Sequence, residues 1–367
     1  MISATRSSEN QGSSVSLSMA QKKVRKRLIE RVCLSGILVC AVWLGVAIGA
    51  SKVDLLLPIN TLYHYALNSL DSNLSHNIVA NIRAPRVILA VLVGAALAVS
   101  GASLQGICRN PLADPGLLGI SSGAAVGAVA MILFAKNLSS LSFAGPYLVS
   151  VAAFSGALIA TFSVYKLAHV KGDIQISTFL LAGVAINALS GAIIAMLSYV
   201  ADDQALRLIT FWMMGSLASA NWVTVGIVAP VLTFVLWAIY RKRHALNLIL
   251  LGEANARYSG IDVDSLKNQI LCLTALAVGV AVAFSGIIGF VGLVVPHILR
   301  AGSDTDYRYL IINSALFGGA LLVLADVSSR MILAPAELPI GILTSLIGAP
   351  FFIALLAQQK RRLGISL

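Results

Sequence analysis

An all-α protein threaded repeatedly through a lipid bilayer is the fold class this sequence predicts, on three observations. The chain is 58% hydrophobic and 11% charged, with a mean hydropathy of +0.89, whereas a soluble domain carries about 25% charged residues. Its apolar residues gather into about ten segments, most of them near the roughly 20 residues a spanning helix needs. Two stretches 185 residues apart, Val93-Gly-Ala-Ala-Leu-Ala-Val-Ser-Gly101 and Val278-Gly-Val-Ala-Val-Ala-Phe-Ser-Gly286, agree at six of nine positions. If an odd number of crossings separates them they run in opposite directions, the mark of an inverted repeat.

Residues 1–28 read as a cytoplasmic tail, polar and serine-rich through 21 and expected to be disordered, with Met19 an alternative start. The basic cluster Lys22–Arg31 ahead of Val32–Ala50 resembles a signal peptide. No A-x-A cleavage site follows and nine further apolar segments do, so 32–50 is expected to stay as the first span of a membrane domain covering 29–362. Further spans are expected at 84–107, 116–135, 146–168, 174–200, 208–240, 268–288, 289–301, 308–330 and 339–358. The window 208–240 is too long for one crossing, and Gly215–Asn221 is expected to break it. The window 289–301 is too short for an ordinary crossing, which is tolerable where protein or a water-filled cavity covers the exposed backbone. Residues 363–367 close the chain as a short tail.

Charge orients this array. With ten crossings and the N-terminus inside, 20 of the 26 Lys and Arg residues fall on the cytoplasmic side, as the positive-inside rule requires. Lys52, Arg83, Arg86, Lys136, Arg207 and Arg330 fall outside. The repeat copies then lie in spans two and seven and are antiparallel. The net charge of +11 is accounted for by this orientation rather than by a nucleic-acid face, because the basic residues sit in short clusters between spans.

Other chemistry is missing. Cys33, Cys40, Cys108 and Cys272 have no CxxC spacing, so neither a disulfide framework nor a zinc site is indicated. No GxxxxGK[ST] segment is present, so ATP hydrolysis has to come from another chain. The spans lack the internal Asp, Glu or His relay of an ion-coupled carrier; Asp326, Arg330 and Glu337 gather near the outer end of span nine, and Asp114 lies at an inner helix start. The interior loop 241–267 reads as two short helices broken by glycines, with an apolar face too brief to span anything. It suits either the membrane surface or a cytoplasmic partner.

Six motifs occur in order along the chain: Arg83-Ala-Pro-Arg86, Arg109-Asn-Pro-Leu-Ala-Asp-Pro-Gly-Leu-Leu-Gly119, Phe211-Trp-Met-Met-Gly-Ser-Leu217, Leu251-Gly-Glu253 with Ala256-Arg257, Gly289-Phe-Val-Gly-Leu-Val-Val-Pro-His297, and Ala336-Glu-Leu-Pro-Ile-Gly341. Together they resemble the permease subunits of type II ABC importers for iron-siderophores, haem and vitamin B12. The resemblance implies a homodimer in the bacterial inner membrane with both termini cytoplasmic, two cytoplasmic ATPase subunits that use the ATP and magnesium, and a periplasmic binding protein. It implies no cofactor, metal or catalytic residue in this chain.

Residue by residue, it implies that Arg83, Arg86 and Arg330 receive carboxylates of the binding protein. Headgroup snorkelling is the competing role for the first two, and a pair with Asp326 for the third. It implies that Gly252, Glu253, Ala256 and Gly260 couple the loop to the ATPase. It nominates Asn187, Ser190, Ser198, Thr344 and Ser345 in spans five and ten for the translocation pathway, although such residues serve equally as helix-packing glue. Haem importers are the most similar group, with ferric siderophores and vitamin B12 as alternative cargoes. An ion-coupled secondary transporter is the alternative of a different class.

Overall fold

A computed structural model of the chain describes residues 2–49, 74–134, 145–170, 173–302 and 305–362, with most side chains from Lys22 onward. Lys52, His64, Lys136, Lys171 and the 363–367 tail lie outside the described residues. The thirteen described helices of the main succession are α1 (Ile2–Ala47), α2 (Ala84–Ile107), α3 (Ile120–Phe134), α4 (Gly145–Ala168), α5 (Ile176–Tyr199), α6 (Asp203–Met213), α7 (Trp222–Arg241), α8 (Arg243–Leu250), α9 (Glu253–Tyr258), α10 (Val263–Ser285), α11 (Val291–Gly302), α12 (Tyr307–Ile332) and α13 (Ile340–Arg362). A two-residue antiparallel pair, His169–Val170 with Asp173–Ile174, joins α4 to α5. Seven described helical stretches are long and apolar enough to cross a bilayer, and α3, α11 and α13 contribute shorter apolar segments. They sit where the ten expected spans do.

Boundaries differ in three places. The backbone of α1 is helical from Ile2, through the segment read as a disordered tail. The break in the long sixth window falls where expected, but α6 begins at Asp203, with the Asp202 carboxylate accepting from the Ala205 N–H. Helix α10 begins at Val263, five residues before the expected span, because Asp262 caps it by accepting from the Ser265 N–H at 3.0 Å. That polar first turn carries no hydropathy signal.

Helix α2 is the centre of the bundle. In its apolar window 83% of residues are buried, against 17% in α5 and 11% in α1. Lipid tails are as apolar as leucine, so such burial rests on close packing rather than on a hydrophobic drive between helices. The repeat supplies the small residues. A Cβ on Gly94 would collide with the Gly318 carbonyl of α12, and one on Gly101 with the Gly292 carbonyl of α11. The second copy ends differently: Gly286, at φ +66°, stops α10.

Residues 286–290 are therefore unwound before α11, which is only twelve residues long. Their exposed backbone is met by protein. The Ile287 carbonyl lies so close to Gly215 and Gly341 that a Cβ on either would collide with it, and just before the break Ser216 N–H donates to the Ser285 carbonyl at 2.8 Å. The short eighth span is thus a broken helix sealed by the α6–α7 link and the start of α13.

Candidate functional site

The N-terminal end of α2 is built by one proline. Pro85 has no N–H for the Asn81 carbonyl, and Ala84 N–H reaches back to the Val79 carbonyl instead, giving a π-helical turn over Ile78–Arg83. The Ala80 carbonyl freed by this shift accepts from the Trp222 indole at 3.0 Å, which ties α7 to the turn. Arg83 and Arg86 project from the end of this turn.

The structure brings Arg83, Arg86 and Arg330 into one cluster, and buries all three. Their residues are 3%, 7% and 4% exposed. Arg83 donates to the Val46 and Ala47 carbonyls, and Arg330 to those of Gly45 and Ile48. Both cations thereby satisfy the open carbonyls and the negative dipole end of α1. Arg86 bridges Asp326 of α12 and Glu337, each at 2.9 Å, and Arg330 pairs with Asp326 at 3.1 Å. Within the single chain all three guanidinium groups are thus engaged by internal partners. Sequence spacing paired Arg330 with Asp326, but Asp326 also takes Arg86 from 240 residues away. Glu337, with a side chain 41% exposed, is the cluster's solvent-facing member.

At the opposite end of the bundle, α8 and α9 are the two short helices the loop 241–267 implied. Gly252, at φ +113°, makes the turn between them, a backbone conformation that side chains other than glycine rarely adopt. Gly260, at φ +82°, turns the chain toward α10 and is exposed. Two of the other coupling candidates face inward. Ala256 is fully buried, and Glu253 forms an ion pair with the buried Lys267 of α10 at 2.8 Å. The most exposed large apolar side chains here are Leu251 and Tyr258, 68% and 90% exposed. Sequence reasoning passed over them. The signal was a large apolar residue flanking each glycine-broken helix, one turn off the face filled by Leu246, Ile249 and Ala256.

The same helix pair is fastened to the bundle. Asn247 of α8 donates to Asp306 at 2.7 Å and accepts from the Tyr307 N–H at 2.8 Å. Asp306 caps α12 and lies 3.6 Å from Arg27 and 2.7 Å from Arg308. Burial opposes its charge, but hydrogen bonds from Arg308 and Asn247 outweigh that and hold its carboxyl well below the usual carboxylate range.

The five pathway candidates do not converge within one chain. Asn187 and Ser190, three residues apart on α5, share its inward face. Asn187 binds the Gly116 carbonyl at 3.3 Å and Ser122 at 2.5 Å, and Ser190 is buried. Asn187 borders a cavity of about 390 Å³ that the unwound 287–290 segment and Asp114 also line. Thr344 is buried and donates to the Gly341 carbonyl. Ser198 is half-buried, and Ser345 is exposed beside Leu346 and Ile347 on the outer face of α13. Among the described residues no cluster of three potential metal ligands occurs.

Comparison with known proteins agrees with this geometry. The model of the FecCD transport family matches residues 37–358. The hemin transport system permease protein HmuU of Yersinia pestis is 42% identical over 339 residues, 92% of this chain and 98% of that protein. The cobalamin import system permease protein BtuC of Halobacterium salinarum is 45% identical over 285 residues, 78% of this chain and 74% of that protein. A solved metal-chelate type ABC transporter in an inward-facing conformation superimposes with a TM-score of 0.76 at 28% identity, covering 90% and 99% of the two chains.

Proposed function

Since the chain belongs to the FecCD transport family, and is therefore the integral-membrane permease subunit of an ABC importer and not itself the ATPase, we propose that its cargo is haem. The observation that carries this reading is the 42% identity to a hemin permease across nearly the whole of both chains. The match to the cobalamin permease is higher in identity but covers less of either chain, which makes cobalamin the second reading. Ferric siderophores are the third.

Two copies would assemble in the inner membrane with both termini cytoplasmic, each copy bearing one ATPase, and a periplasmic binding protein on the opposite side. The passage would run between the copies along the exposed faces of α5 and α13, past Ser198 and Ser345. Three features support the ATPase at α8–α9: the short helices cannot span, they display Leu251 and Tyr258, and Gly252 and Gly260 set their turns.

The binding protein would dock at the arginine cluster by exchange. Glu337 is the exposed partner of Arg86, and an incoming carboxylate could take its place while Asp326 keeps the inner side of the guanidinium. With a side chain 41% exposed, Glu337 can be taken up by water as the incoming carboxylate replaces it, which suits transient docking.

The test is reconstitution in liposomes with the ATPase and the binding protein. Haem-loaded binding protein should stimulate ATP hydrolysis several-fold over cobalamin- or siderophore-loaded protein. Stimulation by cobalamin alone would overturn haem as cargo.

A further inference from the structure

We propose that Asn247 is a positioning residue that latches the coupling helices to a single rigid lever, the α2–α12 pair, whose far end is the outer arginine cluster. The inference rests on the importer reading above and names the residue through which α8 acts.

The lever is visible as three pins between α2 and α12. At the outer end Arg86 of α2 pairs with Asp326 of α12 at 2.9 Å. In the middle, Gly94 and Gly318 bring the two backbones together. At the inner end the Tyr307 hydroxyl donates to the Ala102 carbonyl at 3.0 Å and packs on Gly106, where even a Cβ would collide with it. Helix α12 has 26 residues without an internal proline, about 39 Å at 1.5 Å per residue. Interfaces pinned at both ends and the middle move as one body.

Helix α8 meets this body at its inner end, and Asn247 makes the contact specific. Its amide serves both functions at once, donating to the Asp306 carboxylate and accepting from the Tyr307 backbone. The two partners are the cap and the first residue of α12. Two hydrogen bonds to adjacent positions fix orientation as well as distance, so a push on α8 becomes a push along α12. Leu246 and Ile249, on the buried side of α8, anchor it by packing but give no such directional link.

The experiment uses the complete complex of permease, ATPase and binding protein in liposomes. It compares wild type, N247A, and the swapped pair N247D with D306N. The swap retains both bonds with donor and acceptor exchanged between the two side chains. For N247A the expectation is unchanged co-purification with the ATPase and unchanged basal hydrolysis, with hydrolysis stimulated by the binding protein reduced at least tenfold. The swapped pair should recover most of that stimulation.

Wild-type stimulation in N247A would overturn the latch. So would a swapped pair no better than N247A, including the case in which N247A fails to assemble. A wild-type complex that haem does not stimulate would count against the cargo reading, and is distinguishable because the latch is read from stimulation by the binding protein itself.

Discussion

Arg86 shows at the scale of one side chain how neighbours decide what a charge does. Its position at the start of span two and its sign were plain in Arg83-Ala-Pro-Arg86, and so was its place outside the positive-inside pattern. Its partners were not, because Asp326 and Glu337 lie about two-thirds of the chain away in sequence. Removing one member of a buried pair leaves the other charged and unsolvated, typically costing about 3–5 kcal/mol. R86M should therefore lower the thermal unfolding temperature of the detergent-solubilised permease markedly. E337Q, which alters the exposed partner, should leave it nearly unchanged. Equal effects of the two would contradict the buried-pair account. Glu253 and Ala256 teach the same lesson in reverse: their types suited a docking face, yet Lys267 and the α8–α10 packing claim them.

The elements themselves were largely legible. Hydropathy windows located the spans, and glycines at 252 and 260 marked the two short helices between spans six and seven. Boundaries set by polar caps at Asp202 and Asp262 were missed, since a cap is a local hydrogen bond that hydropathy does not register. The π-helical turn before α2 follows from Pro85 but needed Trp222 to take the freed Ala80 carbonyl. For α8–α9 the displayed residues carry the prediction. Y258R or L251D should abolish co-purification of the ATPase, while the permease keeps its monodisperse profile and unfolding temperature. E253Q should weaken the Lys267 tie and lower stability, with a smaller effect on ATPase capture. Retained capture in both Y258R and L251D would place the ATPase contact elsewhere.

Over the whole molecule, the antiparallel repeat copies sit in helices that flank the same core, but they do unequal work. The first lies wholly inside α2 and packs its glycines on α11 and α12, whereas the second stops at Gly286 and opens the break before α11. Driven by a separate ATPase, uptake through this permease should persist when a protonophore collapses the proton gradient of ATP-loaded vesicles. Loss of uptake with ATP still present would revive the ion-coupled alternative. The amino-acid sequence by itself determined the membrane class, the order of the spans, the external source of ATP hydrolysis and the family, because hydropathy and short motifs are local properties. Only the tertiary structure decided that the outer arginines are buried, that Leu251 and Tyr258 rather than Ala256 face outward, and that Asn247 joins α8 to α12. Those outcomes depend on which helices become neighbours. In lipid, where apolar surface alone does not select a partner, steric fit at glycines and the pairing of buried polar groups make that choice.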